Sequence, residues 1–327
     1  LTLSAAASPG ANAFGRTLSM AQQKQMLAQV ADRNPEKRMV ASLLIRAEGD
    51  LLKADYKAAL EKQRGVMEQE LQRTQKVFRA TDSTLVQIRS ELAEWKNLAD
   101  AARALAQTDH HKEAKKFAEM DKAFTAAERA HTRLLRKVRP QQTSGIGPLI
   151  DAIHWLAEIN REMSWCNSSP DDGGPLSLSV PLVVAGAPEE IIAFARELEP
   201  LIGLRESLRR VSTAHALMQW AKSEQVQYAS LLNSRRAVLA LRPLLLAEKL
   251  SDACFQHSDE MVRLKYFAHE SPIPANKSPG DRVRNAGFDG GFGGECIFTG
   301  GSSAQSGHQG WWYSDGHRLI LYATSPA

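Results

Sequence analysis

The chain has 327 residues, of which 43% are hydrophobic and 24% are charged, and its formal net charge is +4. This composition is ordinary for a folded protein, and the length is sufficient for two domains. No short run of Lys and Arg contains interleaved aromatic residues, so nucleic acid is not an expected partner. No stretch approaches about eighteen consecutive apolar residues, so no transmembrane segment is expected.

Residues 1–17 are small and mostly uncharged, and the chain begins with Leu rather than Met. Ala11-Asn12-Ala13 fits the A-x-A pattern read by signal peptidase, which would make Phe14 the first mature residue. We interpret this segment either as the remnant of a signal peptide or as a disordered tail. The first interpretation predicts a secreted, periplasmic or cell-surface protein.

Residues 18–139 are predicted to form long helices, because there is no proline from Glu36 to Arg139 and no glycine from Val66 to Ser144. Apolar residues recur at alternating steps of three and four, with polar interruptions at Arg64, Thr74 and Thr81, which is the spacing of a coiled coil. This first stripe consists of Leu60, Met67, Leu71, Phe78, Leu85, Ile88, Leu92, Trp95, Ala99, Ala102 and Ala106.

The stripe stops at residues 108–111 and resumes from Phe117 to Val138, with His131 on the same face. This break predicts a helical hairpin whose turn lies near residues 108–112. Self-association through an intermolecular coiled coil would give the same pattern and stays an alternative. His110-His111 could bind a metal, but a solvated turn is the preferred interpretation.

Residues 140–231 are predicted to be a helical linker region interrupted by a Gly/Pro-rich loop at 165–175. Residues 176–184 alternate loosely, and Pro181 restricts any strand there to a sheet edge. No chemistry can be assigned to this region.

Residues 232–327 differ from the rest because eleven of the 21 glycines lie between Gly280 and Gly316. His269, Glu295 and His317 each lie in a loop or beside a glycine, where side chains can face a cleft. Two imidazoles and a carboxylate can hold a divalent ion such as zinc, or act as acid and base around a water.

Short motifs in this region occur in a recognisable order. They are Leu232-Asn233 with Arg236, Arg242-Pro243-Leu244, Leu250 with Ala253, His257-Ser258 with Met261, Tyr266-Phe267-Ala268-His269 with Ser271-Pro272, Lys277-Ser278-Pro279 with Arg282, Ala286-Gly287-Phe288, Gly294-Glu295, and Trp312 with Ser314 and Gly316-His317-Arg318. Together they resemble the bacterial SCP-like branch of the CAP superfamily, which also contains the cysteine-rich secretory and pathogenesis-related proteins.

The resemblance implies a C-terminal α/β domain, a three-layer α-β-α sandwich with a large cleft. His269, His317 and Glu295 are similar to the family's cleft residues, and some members bind zinc or another divalent metal there. His269 and His317 are therefore the expected metal ligands, and His257, His308 and Ser314 are secondary candidates. The second cleft glutamate of eukaryotic relatives has no evident equivalent.

The chain also departs from the family pattern. Cys296 replaces an Asn, and Ile320 stands where an Asn usually follows. The sequence stops at Ala327, about two strands early, so the domain is expected to be truncated. Cys166, Cys254 and Cys296 are interpreted as small buried residues, although one pair could form a disulfide in an oxidising compartment.

Three functions are compatible with these residues. The preferred one is an extracellular binding module whose cleft takes a small lipid-like or peptide ligand. The second is a metal-assisted hydrolase or peptidase with Glu295 as base. The third is a structural coiled-coil protein with a degenerate CAP domain.

Overall fold

The computed structural model describes residues 14, 17–75, 83–110, 113–138, 147–167 and 189–324. These residues form α-helices joined by turns and irregular loops. The helices are α1 (Met20–Gln29), α2 (Pro35–Ala47), α3 (Lys53–Gln75), α4 (Ser83–Ala106), α5 (Ala114–Lys137), α6 (Gly147–Asn167), α7 (Glu189–Leu217), α8 (Ser223–Val238), α9 (Glu248–Leu264), α10 (Pro279–Asn285), α11 (Ala304–Trp312) and α12 (Asp315–Leu321), with short 3-10 helices at Gly49–Leu52 and Pro274–Asn276.

Several helices begin at a polar residue that satisfies the first free main-chain N–H groups. Asn34 accepts a hydrogen bond from the N–H of Glu36 at 2.9 Å, and Pro35 supplies the favourable first position of α2. Ser278 and Ser303 each form a capping box, at the starts of α10 and α11. These caps fix the ends of the two short helices that flank the Gly-rich loop.

The chain divides into two compact units. The helical unit contains Ser8–Leu98 and Ala126–Ala214, and the site-bearing unit contains Ala99–Thr125 and the chain from His215 onward. Helices α4 and α5 contribute residues to both units.

The predicted helical N-terminal region is confirmed, and its apolar stripe is buried wherever its side chains are described. Within the helical unit, α4 and α5 run antiparallel. The rings of Trp95 and His131 stack with centroids 5.1 Å apart, and Arg133 donates to Glu94 at 2.7 Å. Helix α4 ends at Ala106 and α5 begins at Ala114, and residues 111–112 between them lie outside the described residues, so the hairpin turn and the coiled-coil packing stay predictions.

The helical unit also buries a network of ion pairs between α2, α6 and α7. The carboxylate of Glu162 is 1% exposed and lies 2.8 Å from Arg161, 3.3 Å from Arg210 and 3.5 Å from Arg46. Burial opposes the ionisation of Glu162, but the three guanidinium groups outweigh it and hold its pKa well below the usual value. The network continues through the buried pairs Arg38–Glu158 and Arg161–Glu206.

In the site-bearing unit, α12 is joined to the end of α4 by the fully buried side chain of Arg318. Its guanidinium donates to the main-chain carbonyls of Ala106 and Thr108, both at 2.8 Å, and to that of Trp312 at 3.0 Å. These bonds satisfy carbonyls at the C-terminal end of a helix, where a cation is favoured. Asp121 on α5 accepts from the indole N–H of Trp312 at 2.8 Å.

The predicted α-β-α sandwich is wrong, because the described residues of the site-bearing unit contain helices and loops but no β-strand. In the segment 241–247, Leu245 forms an isolated bridge, and side chains take main-chain groups of Leu244 and Leu246 that a sheet would pair. The amide of Asn233 bonds both the N–H and the carbonyl of Leu244, at 2.7 and 2.8 Å. The N–H of Leu246 donates to Nε2 of His215 at 3.0 Å. The other long irregular segment, 286–303, is rich in glycine, which weakens strands.

Several expectations lie outside the described residues. These are the cleavage pattern at Ala11–Ala13, most of the loop at 165–175, the edge strand at 176–184, and His111. His110 is described, and it is buried against Phe117 rather than solvated as predicted. Among the helices that were described, none is long and apolar enough to cross a bilayer.

Candidate functional site

The candidate site is assembled from parts of the site-bearing unit that follow each other in the chain. Helix α9 carries His257 and ends at Lys265, whose left-handed backbone (φ 57°) turns the chain sharply. The following loop carries His269, α10 carries Arg282, and the Gly-rich loop carries Glu295. Because these segments return to the same face, residues that are far apart in sequence come into contact.

His269 and Glu295 are in direct contact. Nδ1 of His269 lies 2.9 Å from Oε1 of Glu295, and Arg282 donates to Oε2 of the same carboxylate at 2.7 Å. The side chain of His269 is 49% exposed, whereas those of Glu295 and Arg282 are 9% and 4% exposed. Arg282 also donates to the carbonyl of His269 at 3.0 Å, so it fixes both partners.

His257 approaches the same carboxylate from α9. Its Nε2 is 4.0 Å from Oε1 of Glu295 and 3.1 Å from the carbonyl of Ala268. Burial is the main cause that lowers its pKa, and the positive charge of Arg282 adds to the effect. His257 is therefore a neutral, satisfied histidine at neutral pH, and it forms part of the site wall.

A second buried carboxylate, Glu260, lies one helical turn after His257. It accepts hydrogen bonds from the hydroxyls of Tyr266 and Ser271 and, at 3.2 Å, from the amide of Asn276. Burial opposes its ionisation, but these donors outweigh burial and lower its pKa. The bonds tie the loop before α10 to α9 and so position His269.

Sequence reasoning gave no role to Arg282 or Glu260. Arg282 was noted only as a motif residue, and Glu260 was overlooked. A signal for Glu260 was present, because it lies three residues after His257 on the largely apolar face of α9. A carboxylate at such a position requires fixed hydrogen-bond donors.

His317 is bonded to neither His269 nor Glu295. Its Nδ1 lies 2.8 Å from the hydroxyl of Ser314, the residue that precedes α12. Burial lowers the pKa of His317, and the charge of His269 lowers it further. Ser314, a secondary candidate, thus orients His317.

His308 lies apart from the other candidates. It is buried in α11, its Nε2 is 2.7 Å from the hydroxyl of Tyr322, and its ring stacks on Trp312. Burial lowers its pKa to about 3. These contacts make His308 a core residue of the site-bearing unit.

Gly294 explains how the loop that carries Glu295 reaches α12. Its φ is 154°, which side-chain-bearing residues rarely adopt, and a Cβ there would lie 2.7 Å from Cδ1 of Ile320. The loop therefore packs directly on Ile320, one turn after His317. Gly294, which precedes Glu295, therefore contacts Ile320, the residue that stands where the family usually has an Asn.

A pocket of about 350 Å³ opens beside Glu295 and His257. Most of its wall is apolar or aromatic, and its rim carries Lys222 and Glu224. The main apolar lining residues are Tyr228, Phe255, Met261, Ile297, Phe298 and Trp311. Cys254 and Cys296 also line it, and no cysteine forms a disulfide in the described chain. Burial raises the pKa of Cys296 to about 11.

The metal ligands expected from sequence are His269 and His317. Within the described ranges, no three His, Cys, Asp or Glu side chains are placed to hold one ion. Oε1 of Glu295 lies against Nδ1 of His269, and Oε2 accepts from Arg282, whose guanidinium already compensates the charge of this carboxylate. The zinc site at His269 and His317 stays a prediction from sequence.

Comparison with known proteins adds one finding. The model of the CAP family, described as the cysteine-rich secretory protein family, matches residues 229–325. No curated protein and no solved structure matches the chain significantly. The matched segment contains His269, Glu295 and His317. Residues 229–325 of this chain are therefore a CAP domain.

Proposed function

We propose that the CAP domain is a binding module whose cleft takes a small lipid-like or peptide ligand beside Glu295. The observation that carries this proposal is a carboxylate held by His269 and Arg282 at the wall of a pocket of about 350 Å³. Ligand sites are typically concave and mostly apolar, with a few fixed polar groups.

Each polar group has a distinct part in this proposal. The contact of Glu295 with Nδ1 favours the tautomer of His269 that carries its proton there, which leaves Nε2 to accept a hydrogen bond. Glu295 and His257 line the pocket, so these two groups face the polar end of a ligand, whereas His269 and Arg282 hold Glu295 in place without lining the pocket. Arg282 keeps Glu295 in place when the ligand leaves.

The test uses NMR of the histidine rings while palmitate or N-acetyl-Ala-Leu-Ala-amide is added. Binding of either probe is expected to shift the imidazole signals of His257 and His269. The Glu295→Gln variant should bind the peptide probe about tenfold more weakly, because a neutral amide replaces the charged acceptor for the N–H groups of the peptide. Glu248→Gln, at an exposed position in the first turn of α9, is the matched control. If neither probe shifts either ring, the proposal is wrong.

A metal-free hydrolase is the second candidate, favoured by the pairing of exposed His269 with Glu295. A carboxylate that orients an imidazole is a common arrangement for a general base. Hydrolysis of p-nitrophenyl acetate by the protein should then fall at least about tenfold in His269→Ala. Equal rates for the two proteins would exclude this candidate. No step through a metal is proposed.

We also propose that the protein is secreted or exposed at the cell surface, where such a module would meet its ligand. The family match and the Ala11–Ala13 pattern support this location. Fractionation of cells that express the complete reading frame tests it, and recovery only in the cytosol would contradict it. Self-association through the first apolar stripe is tested by sedimentation, which separates a monomer from a dimer.

A further inference from the structure

The pocket beside Glu295 has features that select one ligand chemistry. We propose that it binds an uncharged aromatic ring that carries one hydrogen-bonding group, as a phenol or an indole does. This inference rests on the proposed binding function and specifies the ligand. The ring could belong to a free small molecule or to a side chain of a peptide.

The aromatic character of the wall is the first argument. Trp311 meets the ring of Tyr228 edge to face at 5.1 Å and that of Phe298 at 6.1 Å. A Cβ on Gly310 would lie 2.5 Å from Cε2 of Phe298, so this glycine allows Phe298 to pack closely on α11. Aromatic rings prefer tilted or edge-to-face neighbours, and a further ring extends this arrangement more favourably than an alkyl chain of equal area.

The charge at the pocket is the second argument. The negative charge of Glu295 is compensated by Arg282, at 2.7 Å. At the rim, Lys222 and Glu224 have opposite charges, and Nζ of Lys222 lies 3.3 Å above the ring of Phe255. No net charge remains to recognise an ionic ligand, so an uncharged molecule avoids a desolvation cost that an anion or a cation would bear.

The hydroxyl of Tyr228 is the third argument. Tyr228 is 3% exposed, and none of the described residues forms a hydrogen bond with its hydroxyl. By contrast, the indole N–H of Trp311 is already satisfied by the carbonyl of Ile297 at 3.0 Å. A buried hydroxyl without a partner is unfavourable. The hydroxyl is closed off from solvent in this structure, so a ligand reaches it only when the ring of Tyr228 shifts, and a polar group on the ligand would then supply the missing partner.

The test is calorimetric titration of the whole protein with p-cresol, toluene, hexan-1-ol and hexanoate. We expect p-cresol to bind most tightly and hexanoate most weakly. Tyr228→Phe should weaken the binding of p-cresol by about three- to tenfold and leave the binding of toluene unchanged. Only p-cresol has a hydroxyl that can bond the hydroxyl removed from Tyr228. Tyr313→Phe is the matched control, since that exposed tyrosine bonds Asp121 and does not line the pocket. N-acetyl-tyrosinamide distinguishes a free small molecule from a peptide side chain. If it binds more tightly than p-cresol does, the natural ligand is a peptide.

Each alternative outcome overturns the inference. If hexan-1-ol binds as tightly as p-cresol, the aromatic wall does not select rings. If Tyr228→Phe binds p-cresol as well as the unchanged protein does, the hydroxyl does not recognise the ligand. Binding of palmitate without binding of p-cresol would remove this inference and leave the binding module intact. Binding of none of the probes would remove both.

Discussion

The two units bury charge in different ways. The helical unit encloses arginine–glutamate pairs on regular helices, such as Arg210 and Glu162. None of the residues in this network lines the pocket beside Glu295. In the site-bearing unit, the carboxylate of Glu295 lies between an exposed histidine and a buried arginine at a pocket wall. The comparison indicates that a buried charge alone marks packing, whereas a buried charge beside an exposed titratable group and a cavity marks a site.

The largest expected effect comes from removing the central charge of the helical unit. In Glu162→Gln, three buried guanidinium groups lose their shared carboxylate, which should cost about 3–5 kcal/mol of unfolding free energy. Urea unfolding measures the loss of unfolding free energy, and hydrogen exchange shows whether the loss lies in the helical unit. Glu94→Gln breaks an exposed pair with Arg133 and should cost less than about 1 kcal/mol. Equal costs for the two variants would show that the network is solvated.

A somewhat smaller loss is expected in the site-bearing unit from Arg318→Met. This change leaves three main-chain carbonyls without their buried donor, which should cost about 3 kcal/mol. Because Arg318 follows His317 directly, the ring signal of His317 should shift as well. Arg318→Lys should recover part of the stability, because an ammonium can reach fewer of the carbonyls. Unchanged exchange at the end of α4 would contradict the assigned role.

The contact between the Gly-rich loop and α12 gives the next prediction. Gly294→Ala should cost about 1–3 kcal/mol, because it combines an unfavourable φ with a clash against Cδ1 of Ile320. Ile320→Val removes that atom and should rescue part of the loss in the double variant. Thermal unfolding of the unchanged protein, the two single variants and the double variant measures the coupling free energy between residues 294 and 320. Additive effects would show that the clash is absent.

The smallest effect concerns pH. Burial lowers the pKa of His308 from 6.5 to about 3, so the unfolded chain takes up this proton first as the pH falls. The contribution of His308 to stability is therefore complete above pH 6.5 and is lost progressively as the pH drops towards 3. In His308→Gln the slope of unfolding free energy against pH should decrease by at most about 1.4 kcal/mol per unit between pH 6 and 4. An unchanged slope would mean that His308 is protonated in the folded protein.

Much of the helical unit could be predicted from sequence, because periodic apolar residues such as Leu85, Ile88 and Trp95 specify a buried helix face locally. The absence of a sheet in the described part of the site-bearing unit could not be predicted from sequence. Whether an extended segment pairs with a strand or with side chains depends on residues far away, as the bonds from Asn233 and His215 to segment 241–247 show.

The same limit applies to the site. The resemblance identified His269 and Glu295, which are in contact. It could not reveal that Arg282 occupies the second oxygen of Glu295, because that depends on how α10 is oriented. His308 has the same residue type and similar loop surroundings in sequence, yet its partner Tyr322 makes it structural.

The hydrogen bonds from Arg318 to the end of α4 affect the choice of boundaries for an expressed fragment of this protein. A fragment cut at the family boundaries, residues 229–325, would discard Ala106, Thr108 and Asp121, and with them the acceptors of Arg318 and of the Trp312 indole. A fragment that keeps these contacts therefore has to include residues 99–125 as well as the matched segment, so it is discontinuous in sequence.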